Sequence, residues 1–389
     1  MMYRYAIKLR VVGIACLLTQ MLSAQATEII YLSGKGPDDA VKWEFYCTEG
    51  RNSGKWTTIP VPSNWEFHGF GRYNYGHDKD KGKEEGWYRH QFTIPLSVKG
   101  KRVIIVFDGS MTDTYVSVNG KSAGPVHQGA FYRFQYDITS LVKPGKENLL
   151  EVKVHKHSSN ASVNKAEREG DYWIFGGIFR PVYLTVVPQR HIQRTAIDAN
   201  SGGDFKMHVF TTPAGKRMIV RAQVLSLNGQ PVGDVFSTEL EPGDTLVEVQ
   251  GMVHKPLLWN AEQPNLYRMR VDLLDQSGTL IHTHTERFGF RTVEVRAGDG
   301  IYINGTKVIL KGVNRHCTWP TTGKAISQQQ SLHDALLIKE MNMNAVRMSH
   351  YPPDRHFLEI CDSLGLYVLN ELAGWQKAYD TAVGAKLVK

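Results

Sequence analysis

The chain has 389 residues, of which 42% are hydrophobic and 22% charged, and its formal net charge is +8. That length implies two or three domains, and that balance is the one of a globular chain, not of a disordered or fibrous one. The basic residues are scattered and the densest run, "HDKDKGKEE", mixes both signs, which excludes a phosphate-tracking stripe and with it a nucleic-acid partner.

Residues 1–26 read as an export leader. Arg4, Lys8 and Arg10 form a basic start, "VVGIACLL" a short apolar core, and Ala24-Gln25-Ala26 a small-residue cleavage site. The mature chain is therefore expected in the periplasm or outside the cell, with a charge of about +5. The apolar core is too short to cross a bilayer and no later run is long enough, so no membrane partner is expected once the leader is removed. Cys47, Cys317 and Cys361 remain, odd in number and far apart. They form neither a disulfide framework nor a zinc ribbon, and no cofactor is expected.

From 27 to 188 the signals are β. "LLEVKVHKH" alternates Leu150, Val152 and Val154 against Glu151, Lys153 and His155, and Asn119-Gly120 follows a β-branched run as a hairpin turn. "RVIIVFDG" and "RPVYLTVV" read as buried strands, and nothing sustains a helical period, so a β-sandwich is predicted. From 189 to 293 a second sandwich of immunoglobulin type is predicted. "LYRMRVDL" has a period of two, and turns fall at Asn228-Gly229, Pro242-Gly243 and Ser277-Gly278.

From 294 the pattern becomes strand, helix, strand, helix, strand. "KVILKGVN" is the first strand. Ser327 to Gln330 is a capping box opening a helix with Leu337, Ile338 and Met341 on one face. "NAVRMSH" is the second strand, and Pro352-Pro353 leads into a helix with Phe357, Cys361 and Leu364 in step, closed by Gly365. "LYVLNE" is the third. Such alternation makes a parallel sheet with right-handed crossovers. Polar residues gather where each strand ends: Asn314, Arg315 and His316, then Arg347, Ser349, His350 and Tyr351, then Asn370 and Glu371. That is the pattern of a (β/α)8 TIM barrel working at its C-terminal face, but three strand–helix units are only part of such a barrel.

The stretches "VPSNWEFHGFG", "DYWIFGGIFRPVYL", "LWNAEQPNLYRMRV", "ERFGFRTVEV", "LKGVNRHCTWP" and "LIKEMNMNAVRMSHYPPDRHFLEICDSLGLYVLNE" resemble glycoside hydrolase family 2, nearest to its bacterial β-galactosidase-type members. The resemblance runs in the family's order: a sugar-binding-like jelly roll, an immunoglobulin-like sandwich, then a TIM barrel. It implies retaining hydrolysis of a terminal β-glycoside by two carboxyl groups. It also implies that Asn370-Glu371, although it imitates the family's acid/base dipeptide, belongs to the third strand, and that both catalytic carboxylates lie beyond Lys389. No catalytic residue is thus expected in this chain, which alone should be inactive. His316 and His350 match sugar-binding histidines, Arg347 an arginine beside the nucleophile, and Asp171 a jelly-roll aspartate reaching the sugar. Where some relatives carry a sugar-binding asparagine this chain has His77, and where they carry a magnesium-binding glutamate it has Trp375, so no metal site is expected.

Plainer readings stand beside these. Arg347 can pair with Glu371 across neighbouring strands, and Asp171 can anchor a loop. Trp65, Trp87, Trp173 and Trp259 suit the interior of a sandwich, and His282 and His284 a strand's surface face. The partner expected is a β-linked glycan or galactoside. Alternatives to an enzyme fragment are a non-catalytic carbohydrate-binding protein and one chain of a two-chain glycosidase whose second chain completes the barrel.

Overall fold

The computed structural model describes residues 26–381 and 383. The predicted leader falls on residues 1–26 and so lies, but for Ala26, outside the described residues. The chain divides into two compact units, residues 29–185 with 309 onward, and residues 186–308 with the described residues 26–28.

In the first unit, twelve strands build a jelly-roll sandwich: β1 (Glu28–Tyr31), β2 (Val41–Cys47), β3 (Trp56–Val61), β4 (Asn74–Tyr75), β5 (Glu85–Thr93), β6 (Arg102–Phe107), β7 (Asp113–Val118), β8 (Lys121–Ser122), β9 (Phe134–Asp137), β10 (Glu147–His155), β11 (Trp173–Ile174) and β12 (Val182–Val187). One sheet has the order β3-β2-β5-β10-β7-β8 and the other β1-β12-β6-β9, while β4 and β11 form a separate two-stranded ribbon. The alternation read in β10 holds, because Leu150, Val152 and Val154 are all buried. Asn119 and Gly120 take φ of 53° and 75°, the left-handed pair that a tight hairpin between β7 and β8 requires. One short helix, α1 (Ala161–Glu167), was not expected. It is seven residues long, too short to show a period, and is capped by Asn160, whose Oδ1 accepts from Ser162 N at 2.9 Å. The sandwich also buries an ion cluster. Lys156 Nζ lies 2.8 Å from Glu66 and 3.6 Å from Glu84, and donates to Asn74 Oδ1 at 2.9 Å. That bond fixes β4, the first strand of the ribbon.

The rest of this unit is a parallel sheet of β23 (Gly312–Arg315), β24 (Ala345–Met348) and β25 (Tyr367–Leu369), crossed over by α2 (Gln328–Glu340) and α3 (Arg355–Leu364). Gly312 permits the close pairing, since a Cβ there would stand 2.1 Å from Ala345 O. The capping box forms: Ser327 Oγ accepts from Gln330 N at 3.2 Å and Gln330 Oε1 accepts from Ser327 N at 2.8 Å. The predicted face of α2 does not. Ile338 is buried, but Leu337 and Met341 are exposed, because the side of the helix that packs into the core carries Ser331, Ala335 and Ile338. In α3, Phe357 and Cys361 are buried as read, and Gly365 ends the helix with φ 73°.

This sheet does not bury its core alone. Ile338, Val346, Met348, Tyr351, Phe357 and Leu366 share one cluster with Met111, Phe131, Phe175 and Phe179 of the jelly roll. Tyr351 stacks on Phe131 with centroids 4.2 Å apart. Arg180 and Asp354 form a buried ion pair at 2.9 Å, and Arg180 also donates to Phe131 O and Pro352 O.

The second unit is an immunoglobulin-like sandwich of β13 (Ile192–Ala199), β14 (Asp204–Thr211), β15 (Met218–Ser226), β16 (Pro231–Leu240), β17 (Leu246–Met252), β18 (Tyr267–Leu274) and β19 (Leu280–Phe288), in sheets β13-β14-β17 and β16-β15-β18-β19. A meander of β20 (Val293–Arg296), β21 (Gly300–Ile303) and β22 (Thr306–Val308) belongs to it. The stretch read as one strand, "KVILKGVN", is thus two, broken at exposed Ile309 and Leu310. His282 is a correction as well. It is buried, accepting from Ile192 N at 3.1 Å and bonded to Thr27 Oγ1 at 3.1 Å, because an imidazole can bond through both of its ring nitrogens at once.

Candidate functional site

Parallel pairing sets Asn314 opposite Arg347 and Arg347 opposite Leu369. The residues after each strand therefore emerge together at one edge. Arg347 Nε donates to Glu371 Oε1 at 2.6 Å, and its Nη1 reaches Asn314 Oδ1 at 3.5 Å. His350 Nδ1 lies 3.4 Å from Arg347 Nη2 and 3.5 Å from Glu371 Oε2. His316 meets His350 edge to face with ring centroids 5.2 Å apart. His316, His350 and Arg347 thus form one cluster, and the plainer reading of Arg347, a pair with Glu371, is also realised. A guanidinium and an imidazole, and no second carboxylate, stand against Glu371 among the described residues.

Behind His316 sits a group that sequence reasoning missed. Lys324 is buried, and its ammonium donates to Tyr351 Oη at 2.6 Å and Thr318 Oγ1 at 3.3 Å. Its backbone N donates to Asn64 Oδ1 of the jelly roll at 2.7 Å. Tyr351 Oη in turn lies 3.5 Å from His316 Nδ1. In sequence, Lys324 stands in the polar-looking turn "TTGKAIS". The one signal was its place directly before Ala325 and Ile326, both buried.

Burial sets the charge states. It pushes His316 down to about 4, with Lys324, His350 and Arg347 adding to the effect. It lowers His350 too, aided by Arg347 and opposed by Glu371. Both imidazoles are therefore neutral near pH 7, each with one donor and one acceptor nitrogen, a pairing suited to sugar hydroxyls. Burial also pushes Lys324 down to about 7.

Asp171 is not in this cluster. It lies on the rim beside the β4–β11 ribbon, where its Oδ1 pairs with His77 Nε2 at 2.8 Å, both side chains exposed. His77 lines a cleft of about 250 Å³ whose wall includes Lys81, Glu169, Trp375 and Lys377. Trp375 joins cleft to cluster, since its ring lies 6.2 Å from that of His350. Of the four tryptophans read as interior, Trp65 and Trp259 are buried, but Trp87 and Trp173 are 38% and 50% exposed. Trp173 packs edge-on against Tyr75 at the rim, with centroids 5.4 Å apart. Among the described residues no group of three His, Cys, Asp or Glu side chains is placed to hold a metal ion.

Comparison with known proteins gives three consecutive family matches. Residues 42–188 match the sugar binding domain of glycosyl hydrolases family 2, residues 189–291 a model described as glycosyl hydrolases family 2, and residues 293–387 that family's TIM barrel domain. A β-galactosidase of Thermoanaerobacter pseudethanolicus is 35% identical over 301 residues, covering 76% of this chain and 40% of that protein. A β-galactosidase of Priestia megaterium is 31% identical over 344 residues, covering 82% of this chain and 33% of that protein. Among solved structures, a Bacteroides uniformis β-glucuronidase superposes with a TM-score of 0.73 at 26% identity, over 89% of this chain and 42% of the other. The chain spans about two fifths or less of the length of these curated relatives.

Proposed function

The chain belongs to glycoside hydrolase family 2, and from that premise we propose that it carries the sugar-holding side of a retaining β-glycosidase. The observation that supports this reading is the strand-end cluster. His316 and His350 stand 5.2 Å apart, neutral, beside a guanidinium–carboxylate pair at the C-terminal edge of a parallel sheet, where barrel enzymes work. The two imidazoles orient hydroxyls of a terminal β-linked sugar, and Arg347 and Glu371 hold each other and His350 in place. Asp171 and His77 face the same glycan from the rim.

Retaining hydrolysis needs two carboxyl groups about 5–5.5 Å apart. Glu371 is engaged by Arg347 and His350, so we assign it to positioning and not to acid catalysis. The test is turnover of nitrophenyl β-galactoside by the 389-residue chain. Rates at the blank level, unchanged in Glu371→Gln, are expected. Turnover that Glu371→Gln abolishes would overturn the assignment. We also propose export with removal of residues 1–26. Mass spectrometry of periplasmic material should then find Thr27 at the N-terminus, and an intact Met1 there would contradict it.

A further inference from the structure

The outer face of the six-stranded sheet carries a row of side chains that the strand-end cluster does not use. Strand register sets Trp56 opposite Tyr46, Tyr46 opposite Trp87, Trp87 opposite Lys153 and Lys153 opposite Tyr115. Their strand neighbours Phe45, Tyr88, Val152 and Val116 are buried, so alternation places the whole row on the face away from the core. The rings form a continuous strip. Tyr46 lies 5.6 Å from Trp56 and 5.3 Å from Trp87, and Lys153 Nζ sits 5.9 Å from Trp87 and 5.5 Å from Tyr115. Trp56, Trp87 and Tyr115 nevertheless stay 42%, 38% and 39% exposed.

The next row in register is Thr58, Glu44, Arg89, Glu151 and Ser117. Beside it lies a cleft of about 260 Å³ whose wall includes Lys42, Glu44, Arg89 and Gln91. Two ion pairs lie on this face: Arg89 with Glu151 at 3.1 Å and Lys153 with Glu85 at 3.1 Å.

We propose that this face binds a stretch of neutral β-linked glycan at a surface separate from the strand-end cluster. A pyranose ring has a flat C–H face and a rim of hydroxyls. Exposed aromatic edges and faces meet the first, and the carboxylates, guanidinium and amide of the next rows meet the second. Paired charges suit a neutral ligand and give no single-sign field for a nucleic acid or an anionic membrane. Leu149 and Trp43 are the apolar members of the cleft wall and its other five residues are polar or charged, a lining poor in the apolar bulk that centres a protein interface. Five strands about 4.8 Å apart make the row about 19 Å long, so the ligand is an oligosaccharide or polymer and not a single sugar.

The test is affinity electrophoresis of the 389-residue chain in native gels containing soluble galactan, xyloglucan or mixed-linkage β-glucan, with α-linked dextran as control. Retardation by at least one β-glycan and not by dextran is expected. Trp56→Ala with Trp87→Ala should weaken it by roughly tenfold or more, whereas His316→Ala with His350→Ala should leave it intact. Tyr115→Ser, at the exposed end of the row, gives a weaker but real loss should the double tryptophan variant fail to fold. No retardation by any β-glycan overturns the proposal. So does retardation that survives all three aromatic substitutions in folded protein, or that disappears with the histidines alone, since the row is then only a stabilising strip. Retardation in a parent chain whose histidine cluster binds no simple β-glycoside would refute the function proposed above and leave this surface standing.

Discussion

Replacing Lys324 with Met tests the electrostatics behind His316. The ammonium is buried and donates to two hydroxyls, Tyr351 and Thr318, and burial takes it from 10.5 down to about 7. At about 1.4 kcal/mol per unit, keeping the charged form in the fold costs roughly 4–5 kcal/mol. Between pH 7 and 10.5 the unfolded chain holds the proton and the folded chain does not, so this contribution makes stability rise with pH across that window. Methionine removes the titration and also the two donated bonds, a loss of about 1–3 kcal/mol that does not depend on pH. The parent should therefore gain roughly 2–3 kcal/mol on the variant between pH 7 and pH 9. Urea unfolding followed by tryptophan fluorescence measures this, because of the eight tryptophans only Trp259 lies in the second unit. A stability gap that is the same at both pH values would refute the reasoning.

Three further outcomes follow from buried charges. Lys156→Met leaves Glu66 and Glu84 facing each other without their cation and should destabilise the jelly roll by about 3–5 kcal/mol, read as a fall in the unfolding midpoint. Arg180→Met leaves Asp354 buried without its ion-pair partner. It should loosen the parallel sheet from the jelly roll, seen as faster amide exchange in β23 to β25 than in the six-stranded sheet. Because burial holds His316 down to about 4, sugar binding that needs its neutral imidazole should be flat from pH 8 to pH 5 and fall only as pH drops through about 4. A midpoint near 6.5 in a calorimetric titration would show the histidine to be solvated.

Much of this was legible in the sequence because it rests on local rules. Period-two alternation located β10 and β18, the left-handed Asn119-Gly120 pair located a hairpin, and Ser327 with Gln330 located the start of α2. The strand-end histidines were found because parallel strands deliver their C-terminal residues to one edge whatever surrounds them. What failed depends on distant contacts. Leu337 and Met341 share a helical stripe with Ile338, yet of the three only Ile338 is packed into the core. His282 was read as surface because the strand Ile192–Ala199 that it bonds begins ninety residues away. Lys324 is held by Asn64, 260 positions earlier, a partner that no spacing rule can reveal. Trp87 and Trp65 look alike in sequence, but one faces out from β5 and the other fills the interior.

The most direct test of the sugar-holding cluster is a titration of the chain with methyl β-galactoside and methyl β-glucuronide, following the imidazole nitrogen signals by nuclear magnetic resonance. With His316 and His350 identified by single alanine substitutions, saturable shifts of both signals are predicted for at least one of the two sugars. Imidazole signals that stay stationary in folded protein up to the solubility limit of both sugars would contradict the account.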